Sequence, residues 1–96
     1  MKENMVEYFK VLSDSNRLEI VELLIKGQRC GCNLLSNLKI SQPTLSYHLK
    51  MLSSVGLTSV VRDGNMINHY VDKDKINDMI TFLTELRDSK ENSCKI

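Results

Sequence analysis

The sequence predicts a mainly helical α+β domain in which four helices are followed by a β-hairpin and a last helix. Three observations carry that expectation. Apolar residues recur at helical spacing from Met5 to Val55. After Gly56 the period turns extended, through Thr58-Ser59-Val60-Val61 and then Met66-Ile67-Asn68-His69-Tyr70-Val71. Asp63-Gly64-Asn65 separates those runs, and Asp-Gly in that place is a strong hairpin signal because such turns need positive φ angles.

Each element has its own warrant. Met5, Val6, Phe9 and Leu12 give the first helix one apolar face. Ser13-Asp14-Ser15 then offers short side-chain oxygens to the free amides of a second helix. That helix holds Leu18, Ile20, Val21, Leu23, Leu24 and Ile25, and Gly27 stops it. Apolar residues nearly all round imply burial from several sides. A short third helix is expected over residues 31–38, with Leu34, Leu35 and Leu38 inward and Lys39-Ile40 as the turn. Ser41 caps a fourth helix, and Pro43 sits in its first turn, where a missing N–H costs nothing. Leu45, Leu49 and Leu52 form its inner stripe, which Val55 continues, and Gly56 ends it. Ile76, Met79, Ile80, Leu83 and Leu86 stripe the last helix, and residues 88–96 read as a flexible polar tail. A helix pair followed at once by a twisted hairpin is a winged helix-turn-helix.

The 96 residues fit one domain, 1–96. No apolar run approaches the ~20 residues needed to cross a bilayer, and Lys2 and Glu3 open the chain. Neither signal peptide nor anchor is expected, and the reading is cytoplasmic. Three cysteines, two of them one residue apart, are then reduced thiols rather than a disulfide framework. The net charge is +1, but residues 28–71 carry +3, from Arg29, Lys39, Lys50 and Arg62 against Asp63. Positive charge is thus gathered where a phosphate backbone would be met.

With these motifs in order, the chain resembles the ArsR/SmtB family of metal- and arsenic-responsive repressors. Leu12-Ser13-Asp14-Ser15-Asn16-Arg17-Leu18 resembles the family's opening signature, with Ser15 where a proline is usual. Cys30-Gly31-Cys32-Asn33-Leu34 resembles its Cys-x-Cys-Asp-Leu metal box, and Ser41-Gln42-Pro43-Thr44-Leu45-Ser46-Tyr47-His48-Leu49 its recognition helix. Arg62-Asp63-Gly64 and His69-Tyr70 fall where the wing belongs. The resemblance implies a homodimer joined through the first and last helices. It also implies repression from a palindromic operator, and release when an inducer ion binds. The wide apolar stripe of the last helix, with little else to cover it, points to the same interface.

A recognition helix needs short polar side chains near its N-terminus and longer ones that reach base edges. Ser41, Gln42, Thr44, Ser46, Tyr47 and His48 fit that need. Gln42 can pair in bidentate fashion with adenine, while Ser and Thr meet phosphates or thymine methyls. Lys50 and Arg62 are the expected phosphate contacts, and Asn65 at the wing tip can enter a minor groove. His48 takes a DNA-facing or structural role, and His69 is expected to pack the wing.

Cys30 and Cys32 read as the inducer site, because paired thiolates prefer soft cations and trivalent arsenic or antimony. Within a regular helix, residues two apart diverge, so ion binding would unwind the first turn at Gly31. The expected inducers are As(III) or Sb(III), with Cd(II) a further candidate and no organic cofactor. Many arsenic-responsive relatives carry a third cysteine where this chain has Leu35, so Cys94 from the tail is the candidate third ligand. Asp72, Asp74 and Asp78 lie near the last helix, but no histidine follows to complete a zinc site. Three alternatives stay open. The pair could sense oxidation and release DNA without metal, the tripeptide could serve a small thiol-disulfide exchange protein, though without the expected βαβ setting, or the chain could be a constitutive DNA-binding protein that ignores its cysteines.

Overall fold

The computed structural model describes residues 2–90. Seven elements follow in the expected order: α1 (Lys2–Leu12), α2 (Ser15–Ile25), α3 (Gly31–Asn37), α4 (Gln42–Ser54), β1 (Thr58–Asp63), β2 (Met66–Val71) and α5 (Lys73–Asp88). Ile20, Leu24, Leu34, Leu52 and Leu57 are sealed from solvent and form the centre of one core. Met5, Tyr8 and Val11 of α1, Leu45 and Leu49 of α4, and Met79 of α5 close around them.

Local chemistry sets the helix ends. Asp14 caps α2, its Oδ1 accepting from the amides of Asn16 at 2.9 Å and Arg17 at 3.2 Å. The Arg17 amide above all holds the Asp14 carboxyl below the usual carboxylate range. Gly27, at φ +100°, ends α2. There Gln28 N–H donates to the Leu23 carbonyl and Gly27 N–H to that of Leu24, a double closure that only a residue tolerant of positive φ completes without strain. Ser41 Oγ accepts from the amide of Thr44 and starts α4.

Three expectations change in detail. The first helix does not have a single apolar face. Met5, Tyr8 and Val11 turn into the core, Leu12 is half-buried, and Val6 and Phe9 stay exposed. On α5 the stripe divides likewise: Met79 is buried and Ile76 half-buried, while Ile80, Leu83 and Leu86 are more than half exposed. Phe9 and Phe82 meet with ring centroids 6.2 Å apart, so the outward apolar residues of both helices border one surface. The third change is in the hairpin. β1 and β2 pair antiparallel from Thr58↔Val71 to Asp63↔Met66, so the two-residue turn is Gly64-Asn65. Only Gly64 has positive φ there, +63°, which matches the turn with glycine at its first central position.

α3 begins one residue after Cys30, which stands as its N-cap in extended conformation (φ −96°, ψ 157°). The Cys30 carbonyl accepts the first helical bond, from Leu34 N–H at 3.0 Å. Leu34 is fully buried and Leu38 nearly so, which fixes this short helix against the core. Leu34→Ala is expected to cost about 2–5 kcal/mol of stability in urea unfolding. A loss below about 1 kcal/mol would mean that α3 is not held by this contact.

Candidate nucleic-acid interface and thiol pocket

The loop between α2 and α3 is fastened to the wing. His69 N–H donates to the Arg29 carbonyl at 2.9 Å, and Cys30 bridges Asn68 in antiparallel fashion. The Arg29 guanidinium lies 4.3 Å from the centre of the Tyr70 ring, a cation–π contact that backs the pairing with side-chain attraction. Alternation along β2 sends Asn68 and Tyr70 to one face and Ile67 and His69 to the other.

That second face closes a cavity of about 510 Å³ between α3, α4 and the hairpin. Cys30, Gly31 and Cys32 form one wall, Gln42 and Ser46 stand on the α4 side, and Asn65 and His69 come from the wing. Leu35, Leu45, Leu49, Met66 and Ile67 complete it with apolar surface. Cys30 and Cys32 are both free thiols, the first half-buried and the second exposed. The two cysteines do not sit within one regular helix: Cys30 is the extended N-cap and Cys32 lies in the first turn of α3. Burial lowers the pKa of the half-buried His69, which favours its neutral imidazole.

Of the residues expected to meet DNA, Ser41, Gln42, Ser46, Tyr47, Lys50, Arg62 and Asn65 are exposed. Gln42, Ser46 and Lys50 follow one another at four-residue spacing and so share a ridge of α4. Lys50 borders a second cleft with Ser46, Ser53, Val60 and Ile67, so this ridge runs along the wing. Thr44 is half-buried and accepts from Ser41 Oγ at 2.9 Å, which leaves that pair occupied with capping.

His48 is turned inward, at 6% exposure, rather than out beside its neighbours. Its Nδ1 accepts from Arg17 Nε at 3.0 Å, and Arg17 also donates to the Val11 carbonyl at 3.3 Å. The same guanidinium lies 5.7 Å from the Tyr47 ring centre. A buried imidazole held in this way ties α4 to α2 and presents no edge to a base. Arg17 and Arg29 are the residues that sequence reasoning did not single out. Helical spacing carried one usable signal: position 48 is three after Leu45 and four before Leu52, within the inner stripe. Among the described residues, no group of three or more His, Cys, Asp or Glu side chains is placed to hold a metal ion. Cys94, the candidate third ligand, lies outside the described residues.

The two kinds of α4 side chain should separate in stability measurements. His48→Ala is expected to cost about 1.5–3 kcal/mol, the usual worth of a hydrogen bond to a charged group. Gln42→Ala should stay within ~0.5 kcal/mol, as surface changes do. Equal stability of the two variants in urea would contradict the inward placement of His48.

Residues 14–60 match the family model described as bacterial regulatory protein, arsR family. The chain is 45% identical over 74 residues to the arsenical resistance operon repressor of Staphylococcus aureus, a match covering 73% of this chain and 71% of that protein. An ArsR-like transcriptional regulator from Rhodococcus sp. RHA1 shares the fold with a TM-score of 0.81 at 24% identity, over 90% of this chain and 81% of that one. The homodimeric winged helix-turn-helix DNA-binding domain of a Mycobacterium bovis protein, solved in solution, gives 0.71 at 21% identity, over 98% and 88%. These relatives are regulators of transcription and not enzymes, which removes the thiol-disulfide exchange reading. The chain belongs to the arsR family of bacterial regulatory proteins, and its fold is the winged helix-turn-helix.

Proposed function

We propose that the protein is a cytoplasmic repressor of a metal or metalloid resistance operon, bound to its operator as a homodimer and released when As(III) or Sb(III) engages Cys30 and Cys32. The observation that carries this reading is the shared cavity: the two thiols and three residues expected to meet DNA, Gln42, Ser46 and Asn65, line the same space. The relationship to a staphylococcal arsenical resistance repressor supports the choice of inducer. Exposed Val6, Phe9, Ile80, Leu83 and Leu86 support a dimer through α1 and α5, as does the homodimeric mycobacterial neighbour.

In this reading Gln42 reads a base edge, Ser46 and Tyr47 set register on the backbone and groove, Ser41 and Thr44 cap the helix that presents them, Lys50 and Arg62 neutralise phosphates, and Asn65 enters the minor groove. His48 acts from within, holding the helix that carries them. Binding an ion draws Cys30 and Cys32 together. Because the Cys30 backbone is bridged to Asn68 and heads α3, that movement cannot stay local. The wing and the α3–α4 pair change their spacing, and contacts that need both are lost. Coupling between two such sites is typically about 1–3 kcal/mol, a 5–150-fold change in affinity. Two sulfurs leave inorganic As(III) one ligand short, and Cys94, water or a cellular thiol fills the place. Cadmium, as a soft cation, is a weaker candidate at the same thiols.

Fluorescence anisotropy of the reduced protein on a palindromic operator tests the reading. Arsenite and antimonite should release the DNA, and Cys30→Ser or Cys32→Ser should abolish release while leaving operator affinity near that of the parent. Cys94→Ser reports on the tail's part. Operator binding that ignores every ion yet falls on oxidation would replace metalloid sensing with redox sensing.

A further inference from the structure

We infer that Arg17 is a positioning residue for operator reading: its guanidinium, fixed between the end of α1 and the His48 imidazole, sets the direction in which Tyr47 meets DNA. The inference rests on the proposed placing of α4 and Tyr47 on the operator. Arg17 belongs to the Leu12–Leu18 motif, to which neither the thiol cavity nor the Gln42–Ser46–Lys50 ridge gives a part.

Both ends of the residue are held. Its amide donates to Asp14 Oδ1 at 3.2 Å, which pins it in the first turn of α2. Its Nε donates to His48 Nδ1 at 3.0 Å, and a terminal nitrogen donates to the Val11 carbonyl at 3.3 Å. Val11 lies in the last turn of α1, where helix carbonyls lack partners of their own and a cation is favoured. A planar guanidinium bonded through two of its nitrogens has its plane set. It stands 5.7 Å from the centre of the Tyr47 ring, inside the ~6 Å reach of a cation–π contact. His48, whose Nδ1 is taken up as an acceptor, lies 5.6 Å from the same ring at a tilt of 58°.

Tyr47 is 54% exposed, so its direction depends on the guanidinium and imidazole beside it. An exposed tyrosine without such neighbours samples several rotamers, and binding must then order it. Arg17 orders the ring in advance and so acts on the operator through Tyr47 rather than through a phosphate. Its own burial agrees: Arg17 is half-buried, with two nitrogens already donated inside the domain. A lysine there would keep the charge but lack the planar fork.

The test measures operator affinity by fluorescence anisotropy over a range of salt concentrations. The variants are Arg17→Lys, Arg17→Gln, Tyr47→Ala and the Arg17–Tyr47 double substitutions, each checked for folding in urea. Both Arg17 variants should bind the operator several-fold to about tenfold more weakly, the scale of ordering one side chain. The salt slope should stay that of the parent even in Arg17→Gln. Once Tyr47→Ala is present, changing Arg17 should alter affinity by less than about twofold. A general loosening of the domain would instead weaken binding in that background too. Tyr47→Trp introduces a single tryptophan into a chain that has none. Its anisotropy decay in DNA-free protein should show faster local motion when Arg17→Lys is added. A salt slope reduced by about one in Arg17→Gln would make Arg17 a phosphate contact and overturn the inference. Full additivity of the Arg17 and Tyr47 losses, or unchanged indole motion, overturns it as well while leaving Tyr47 on the DNA surface. Parent-like operator binding by Tyr47→Ala removes Tyr47 from that surface, and both the reading beneath and this inference fall.

Discussion

A short stretch of backbone pairing, the Arg29 carbonyl with the His69 amide and Cys30 against Asn68, is the constraint on which the arrangement depends. It turns the loop before α3 into a partial third strand of the hairpin. At its base the hairpin is closed by a further backbone bond, in which Asp72 N–H donates to the Leu57 carbonyl. With the loop pairing, the residue that starts α3 and the strand that lines the cavity are fixed relative to one another. Backbone bonds are well suited to this, since their geometry allows little adjustment before they are lost. The Arg29 guanidinium over Tyr70 adds side-chain attraction on the opposite face of the strand.

A second tie works from the other side of α4. Arg17 reaches from α2 to His48 and to the Val11 carbonyl, joining α1, α2 and α4 at one guanidinium. The helix α4 is therefore held on one flank by a polar contact to the body of the domain, while its other flank faces a cavity. Such asymmetry favours movement at the cavity side. Leu45, Leu49 and Leu52 are buried and seat the helix in the core, and packed interiors transmit displacement.

Much of the fold was legible in the sequence because its signals are local. Asp14, Gly27, Ser41 and Gly64 each act on backbone within a few residues, and the helical and extended periods change where Gly56 stands. Periodicity was less informative about α1 and α5. It shows that Phe9 or Leu83 belongs to an apolar face, but not whether that face meets its own core or something else. The cavity was partly legible too: the cysteine pair and the α4 polar residues were found, but not that they share one space. A single bridge between residues 30 and 68 leaves no periodic trace, and Arg29 carries no mark of its ring contact with Tyr70. His48 is the instructive case. Its chemistry invites a DNA-facing assignment, while its spacing from Leu45 and Leu52 places it inside.

Joint occupancy of the cavity by thiol chemistry and by residues expected to meet DNA makes reciprocity the central physical claim. If an arsenical weakens operator binding by some factor, the operator must weaken arsenical binding by that same factor. Titrating arsenite into free and operator-saturated protein measures this directly. The expected result is a weaker arsenical affinity on DNA, by the factor seen for DNA release. Equal affinity in the free and DNA-bound states would mean that the thiol pocket and the recognition surface are neighbours without being coupled.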